Sequence, residues 1–141
     1  MPSLSVSIVI PTFKRAALLG RALNSALLEV RPGDEIIVVA DGSTDDTEAV
    51  VRRHGPHVWY VRTEHLGAGT ARNAGVQAAS GDLVAFQDSG DEWTPGKISW
   101  QRATMEAFPD ILSFFSEFGG ITPFGERVHN QARAWHGDAP F

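Results

Sequence analysis

The sequence predicts an α/β fold with a doubly wound, mostly parallel sheet. Four short apolar runs, Val6–Ile10, Ile36–Ala40, Val58–Val61 and Leu83–Phe86, are rich in β-branched and aromatic residues and nearly continuous. Strands covered on both faces of a parallel sheet read this way, whereas half-solvated strands alternate. Helical spacings fill the gaps between the runs, and the strand–helix alternation continues to Phe108. Parallel neighbours joined through helices require right-handed crossovers.

The first strand runs into Pro11-Thr12-Phe13-Lys14-Arg15. In the helix that follows, Leu18, Leu19, Ala22, Leu23, Ala26 and Leu27 recur every three or four residues and form one apolar stripe. Arg31-Pro32-Gly33-Asp34 breaks it. The second strand leads into Asp41-Gly42-Ser43-Thr44-Asp45-Asp46-Thr47 and a helix from Glu48 to Arg53. Ser43 or Thr44 is expected to cap that helix, with Asp45 and Asp46 favourable in its first turn. A third helix, about Thr70 to Ala79, gathers Ala71, Ala74, Gly75 and Ala78 on one side, residues small enough for close approach to the sheet; Gly81-Asp82 ends it. Pro95 stands where a fourth helix should begin, with Ile98, Met105 and Phe108 as its apolar side and Trp93 and Trp100 packed around it. After Pro109-Asp110 the pattern changes. Ile111–Phe118 reads as a further strand and Arg127–Gln131 as a short returning one, and Ala132–Phe141 has no clear pattern. An open strand edge at Ile111–Phe118 could pair with a partner, so a homodimer is one expectation.

At 141 residues, one domain spanning 1–141 is the expectation. An apolar share of 43% and a charged share of 21% are ordinary for a soluble globular chain. No apolar run approaches the ~20 residues of a membrane helix, and Met1–Ser7 lacks the basic and apolar regions of a secretory signal. With no cysteine, disulfides, thiolate metal sites and a cysteine nucleophile are excluded, and a cytoplasmic setting is expected. The net charge of −5 argues against nucleic acid as a partner. It also means that a bound diphosphate needs a compensating cation, and a divalent ion held by one or two carboxylates is the usual solution.

Open α/β sheets bind ligands beyond the carboxyl ends of their strands. The segments that follow the strands here are Pro11–Arg15, Asp41–Ser43, Glu64–Asn73 and Gln87–Trp93. Three of the four carry a carboxylate and two a basic residue, so polar groups distant in sequence converge on one rim. The five histidines, His54, His57, His65, His129 and His136, show no metal-ligand spacing, although His65 lies on the loop before the third helix, within reach of that rim.

Taken in order, these segments resemble family 2 glycosyltransferases. That family's pattern is an apolar strand with Pro-Thr-Tyr/Phe-Asn-Arg, then Asp-Asp-Gly-Ser-x-Asp, then Gly-x-x-x-Ala-Arg-Asn-x-Gly, then a strand ending in Asp-Ser-Asp-Asp. The resemblance covers roughly Ser5 to Phe118. It implies a Rossmann-like, A-type glycosyltransferase fold whose partner is a nucleotide-diphosphate sugar, most commonly a UDP-sugar. The sugar passes to an acceptor hydroxyl with inversion, in a cytoplasmic setting that includes the inner membrane surface.

Residue by residue, the resemblance gives Phe13 to the face of the base, Pro11 and Thr12 to backbone-rich contacts with it, and Asp41 to the base or ribose. Arg15, Arg72, Asp88 and Ser89 fall near the rest of the nucleotide. Phe13 as ordinary core, Asp41 as a turn former and Arg72 as a surface arginine are the plain alternatives. The Mn²⁺ or Mg²⁺ of the family is held through Asp-x-Asp, but here the run is Asp88-Ser89-Gly90-Asp91, and Gly90 offers no ligand. Either Asp88 and Asp91 take over, or the metal site is weak or lost. Ala40 and Lys14 replace a usual Asp and Asn. Family members continue for about as long again, so the acceptor-binding half is expected to be missing here or supplied by a partner. Glu117 and Glu126 lie where a base would fall but read as solvated charges, and no catalytic residue is assigned.

A non-catalytic nucleotide-binding module or truncated remnant is the chief alternative. Gly67-Ala68-Gly69 lacks the third glycine and the position of a dinucleotide fingerprint. A nucleotidyltransferase should carry a glycine-rich loop after the first strand, and Phe13-Lys14-Arg15 has none.

Overall fold

The structure is a computed structural model describing residues 3–113, 119–121 and 127–129. The chain divides into two compact units, Met1–Ala107 and Phe108–Phe141. The first contains β1 (Val6–Thr12), α1 (Ala16–Leu27), β2 (Glu35–Asp41), α2 (Thr47–Arg53), β3 (Val58–Thr63), α3 (Ala68–Ala78), β4 (Leu83–Phe86) and α4 (Lys97–Ala107). Its sheet has the order β3-β2-β1-β4, and every neighbour pair is parallel. This is the expected α/β class.

The sequence reading of strands covered on both faces holds for β1 and β2. Every residue of β1 is buried, and so is every residue of β2 except the half-buried Glu35. β3 and β4 are the edge strands among the described residues and depart from it: Val58 alone is buried in β3, and β4 alternates between half-buried and exposed. On one face Ile8, Ile10, Ile36 and Val38 pack with Leu19, Leu23 and Ala26 of α1, Val50 and Val51 of α2 and Ile98 of α4. On the other, Val9, Ile37 and Val39 meet Ala71 of α3. α3 lies over β1, β2 and β3, and Val84 and Phe86 of β4 stay exposed.

Small residues do let α3 approach the sheet. A Cβ built on Gly75 would stand 2.2 Å from Val9 Cγ1, a distance no packed core accepts. In α1 the stripe is buried at Leu19, Ala22, Leu23 and Ala26, but Leu18 is exposed at the rim. The cap of α2 differs from the expectation of Ser43 or Thr44. The helix begins only at Thr47, so Asp46 holds the cap position, without a side-chain cap bond, and Asp45 before it accepts at Oδ1 from Thr47 N at 3.3 Å and from Thr47 Oγ1 at 2.5 Å. α4 begins after Pro95, at Lys97, and its free N–H groups are met from α1's far end: Glu29 accepts from Gly96 N at 2.7 Å and Ile98 N at 2.9 Å. The interior side of α4 is Ile98 with Arg102; the helix ends before Phe108.

In the second unit β5 (Gly119–Ile121) pairs antiparallel with β6 (Arg127–His129). Ile111–Ser113 is not strand, contrary to the sequence expectation for Ile111–Phe118; a turn closes there instead, with Ile111 N donating to Phe108 O at 3.0 Å. The rest of that stretch, Glu117, Glu126, His136 and the segment after His129 lie outside the described residues.

Candidate functional site

β1 carries Pro11 and Thr12 to the rim with both side chains buried, and the Thr12 hydroxyl has no hydrogen-bond partner among the described residues. The chain then turns through Lys14, whose φ is 50°, a left-handed value that asparagine tolerates better than lysine. Two bonds fix this turn against the β2–α2 loop: Lys14 N donates to Ser43 Oγ at 3.1 Å and Ala16 N to Asp45 Oδ2 at 3.1 Å. Phe13 is thereby held 38% exposed, which rules out its reading as ordinary core. Lys14 Nζ lies 5.2 Å from its ring centroid.

Asp41 ends β2 with its side chain buried and satisfied from three directions. Oδ1 accepts from Thr63 Oγ1 and Leu66 N, and Oδ2 from Gly67 N, each at 2.8 Å. Burial alone would raise its pKa, but these donors and the adjacent His65 outweigh it and hold the carboxyl below its usual range. Asp41 thus clamps the β3–α3 loop onto the end of β2. The loop delivers His65 in a left-handed conformation, φ 49°, stacked on Phe13 with ring centroids 4.1 Å apart. His65 Nδ1 is 3.3 Å from the Asp41 carbonyl oxygen. Gly42, at φ 74°, is required here twice over, since its Cβ would come within 2.7 Å of His65 Cβ. Sequence reasoning placed His65 only within reach of the rim; its partnership with Phe13 depends on two left-handed residues that no local pattern announces.

Beyond β4, Gln87 is buried and anchors the acidic turn to α1: its Nε2 reaches Ser25 Oγ at 3.1 Å and Asp91 O at 3.0 Å. Asp91 N donates to Asp88 O at 3.0 Å, closing a turn through the buried Ser89 and the exposed Gly90. From the α3 side, Arg72 Nη2 donates to Asp88 Oδ1 at 3.0 Å. On the α1 side stands Arg15, whose Nη1 would lie 3.3 Å from a Cβ on Gly90. Burial raises the Asp91 pKa, the Asp88 charge adds to that, and Arg15 opposes both. A cleft of about 580 Å³ opens past Arg15 toward α2, lined by Lys14, Asp45, Asp46 and Arg53.

The structure therefore brings Phe13, Asp41 and His65 together, joins Arg72 to Asp88, and sets Arg15 beside Gly90 and Asp91. As a divalent-cation site this donor set does not fit. Gly90 stands where the second Asp of Asp-x-Asp would be, one Asp88 oxygen already accepts from a guanidinium, and Asp91 shares its surroundings with Arg15. No group of three or more His, Cys, Asp or Glu among the described residues is arranged to hold a metal ion.

A model of the sequences described as glycosyl transferase family 2 matches residues 7–137. An uncharacterised glycosyltransferase of Rickettsia prowazekii is 36% identical over 96 residues, covering 68% of this chain and 30% of its own length. The validoxylamine A glucosyltransferase of Streptomyces hygroscopicus subsp. limoneus is 45% identical over 91 residues, or 60% of this chain and 20% of that one. Among solved structures, S. aureus TarS in complex with UDP-GlcNAc superposes with a TM-score of 0.69 at 25% identity, covering 74% of this chain and 32% of that one. The mannosyltransferase PcManGT of Pyrobaculum calidifontis, in complex with GDP-Man and Mn²⁺, gives 0.61 at 27% identity over 70% of this chain and 31% of that one. This chain belongs to glycosyl transferase family 2 and has the A-type fold of its solved relatives. It spans about 30% of the length of the first curated relatives it matches. No helix among the described residues is long and apolar enough to cross a membrane.

Proposed function

We propose that this chain is the donor-binding region of a glycosyltransferase, holding a nucleotide-diphosphate sugar, in the first instance a UDP-sugar, for inverting transfer to an acceptor hydroxyl. The observation that carries this reading is the exposed Phe13–His65 stack beside the buried Asp41, at the same rim as Arg15, Arg72 and Asp88. An exposed aromatic pair suits the face of a base. Asp41 retains acceptor capacity beyond its three internal bonds, enough for a ring N–H or a ribose hydroxyl, with Pro11 and Thr12 lining the approach. Arg15 and Arg72 face the diphosphate, where a guanidinium is the best side-chain match. Asp88 and Ser89 complete the turn beside it. As the acceptor hydroxyl attacks the anomeric carbon, negative charge develops on the departing diphosphate, which is where these cations are useful.

A second reading, a nucleotide-binding module without transferase activity, draws on Gly90. Thermal-shift titrations with UDP, GDP, dTDP, CDP and NAD address both. A native-state ligand at a hundredfold excess over Kd stabilises by ~2.7 kcal/mol. A shift with one nucleoside diphosphate, lost in Arg72→Ala, supports donor binding; release of sugar from the matching donor then separates transferase from module. A shift with NAD alone, or with none of the five, contradicts the proposal.

A further inference from the structure

We infer that the diphosphate at this rim is neutralised by the Arg15 guanidinium in place of a divalent cation. The inference rests on the nucleotide-binding reading above and deepens it. Gly90 removes the side chain from the centre of the acidic turn, and Arg15 Nη1 stands 3.3 Å from where that side chain would start. The Gly90 backbone is not left-handed, so conformation does not demand a glycine; its effect here is to leave no carboxylate at position 90, so that Asp91 is the acidic group of the turn whose charge meets that of Arg15.

Arg15 is also uncommitted. Other basic residues of the rim and framework are engaged: Arg72 has Asp88, Lys14 lies over Phe13, and Arg102 has Asp34. The Arg15 side chain is exposed and makes no hydrogen bond or ion pair among the described residues. Its backbone, by contrast, is fixed, because the Arg15 carbonyl accepts from both Leu18 N and Leu19 N at 3.0 Å. A cation on a rigid stem with free donors can meet phosphate oxygens without breaking a native contact, and an arginine does so bidentately. The turn itself is held in place by Gln87, so Arg15 on one side and Arg72 on the other flank a fixed segment. Net acidity of the chain is then no obstacle to binding an anion, since a guanidinium stands on each side of the turn and, among the described residues, only that of Arg72 is ion-paired to it.

Isothermal titration of the 141-residue chain with UDP, GDP, dTDP and CDP, in EDTA and in Mn²⁺, tests this. The expected result is saturable binding of one diphosphate in EDTA that Mn²⁺ does not tighten. Arg15→Gln should weaken it roughly tenfold to a hundredfold, as for loss of a hydrogen bond to a charged group, and leave binding of the corresponding nucleoside unchanged. Gly90→Asp sets a carboxylate against Arg15 and should weaken diphosphate binding in EDTA. Three results overturn the inference and leave the donor-binding reading standing: binding that requires Mn²⁺, Arg15→Gln binding the diphosphate as well as the parent chain, or Gly90→Asp binding unaltered in EDTA. No binding of UDP, GDP, dTDP or CDP under either condition removes the donor-binding reading and the inference together.

Discussion

The two ends of the sheet treat charge in opposite ways. Where the strands begin, charged groups are consumed by the fold. Arg102 and Asp34 form a bidentate pair with side chains 3% and 2% exposed, and Asp34 also accepts from Val6 N and Arg31 N. Arg102 further donates to the Leu4 carbonyl. Glu35 takes Ser7 Oγ, Ser80 N and Ser80 Oγ, and Asp82 takes Ser5 N and Oγ. Where the strands end, Arg15 makes no hydrogen bond or ion pair among the described residues, the Arg72–Asp88 pair is open to water, and Lys14 and His65 are both left-handed. Charges closed off by internal bonds mark architecture. Charges held in place but left open, on strained backbone, mark a site.

That contrast breaks first at Asp34. Asp34→Ala leaves the Arg102 guanidinium buried and unpaired and should cost about 3–5 kcal/mol in urea denaturation, with UDP affinity of the folded fraction retained. Acid should act through the same end. Burial pushes the Asp34 and Glu35 carboxyls up, but their hydrogen bonds, with the Arg102 charge at Asp34, win and hold both below their ordinary values of 3.8 and 4.5. Their contribution is therefore complete above those values and is lost as pH falls below them through the depressed folded pKa. Midpoints measured across that window should drop steeply, and the drop should flatten in Glu35→Gln.

A smaller effect is expected at the α3 contact. Gly75→Ala drives a methyl into Val9 and should cost about 1–3 kcal/mol, part of which Val9→Ala in the same chain restores. Smallest, and opposite in sign, is Lys14→Asn. Relief of the left-handed lysine should raise stability by roughly 0.5–1 kcal/mol, seen as a higher thermal midpoint. A loss of stability there would mean that Lys14 and its contact with Phe13 belong to the framework rather than to the site.

The sequence made the central strands and the convergence of the four strand ends legible, because burial on two faces and the rule for ligand position in open sheets are written in local patterns. Phe13, Asp41, Arg72 and Asp88 lie in the segments found in that way, and the resemblance to family 2 glycosyltransferases singled them out within those segments. The edge character of β3 and β4 was not, since an apolar run looks the same whether or not a helix covers its second face. Glu29 capping α4 and Arg102 pairing with Asp34 join residues more than sixty positions apart, which periodicity cannot register. Asp41 was read as facing the ligand, yet three of its acceptor positions are spent on its own loop; the motif named the residue, and only the geometry gave its structural task.

Amide chemical-shift mapping of the ¹⁵N-labelled chain with UDP and GDP tests the contrast most directly. One of the two should give saturable shifts at Phe13, Lys14, His65, Gly67, Arg72 and the Asp88–Asp91 turn, with Asp34, Glu35 and Asp82 undisturbed. Saturable shifts centred on the strand-start end, or none at the rim with either nucleotide, would contradict the account.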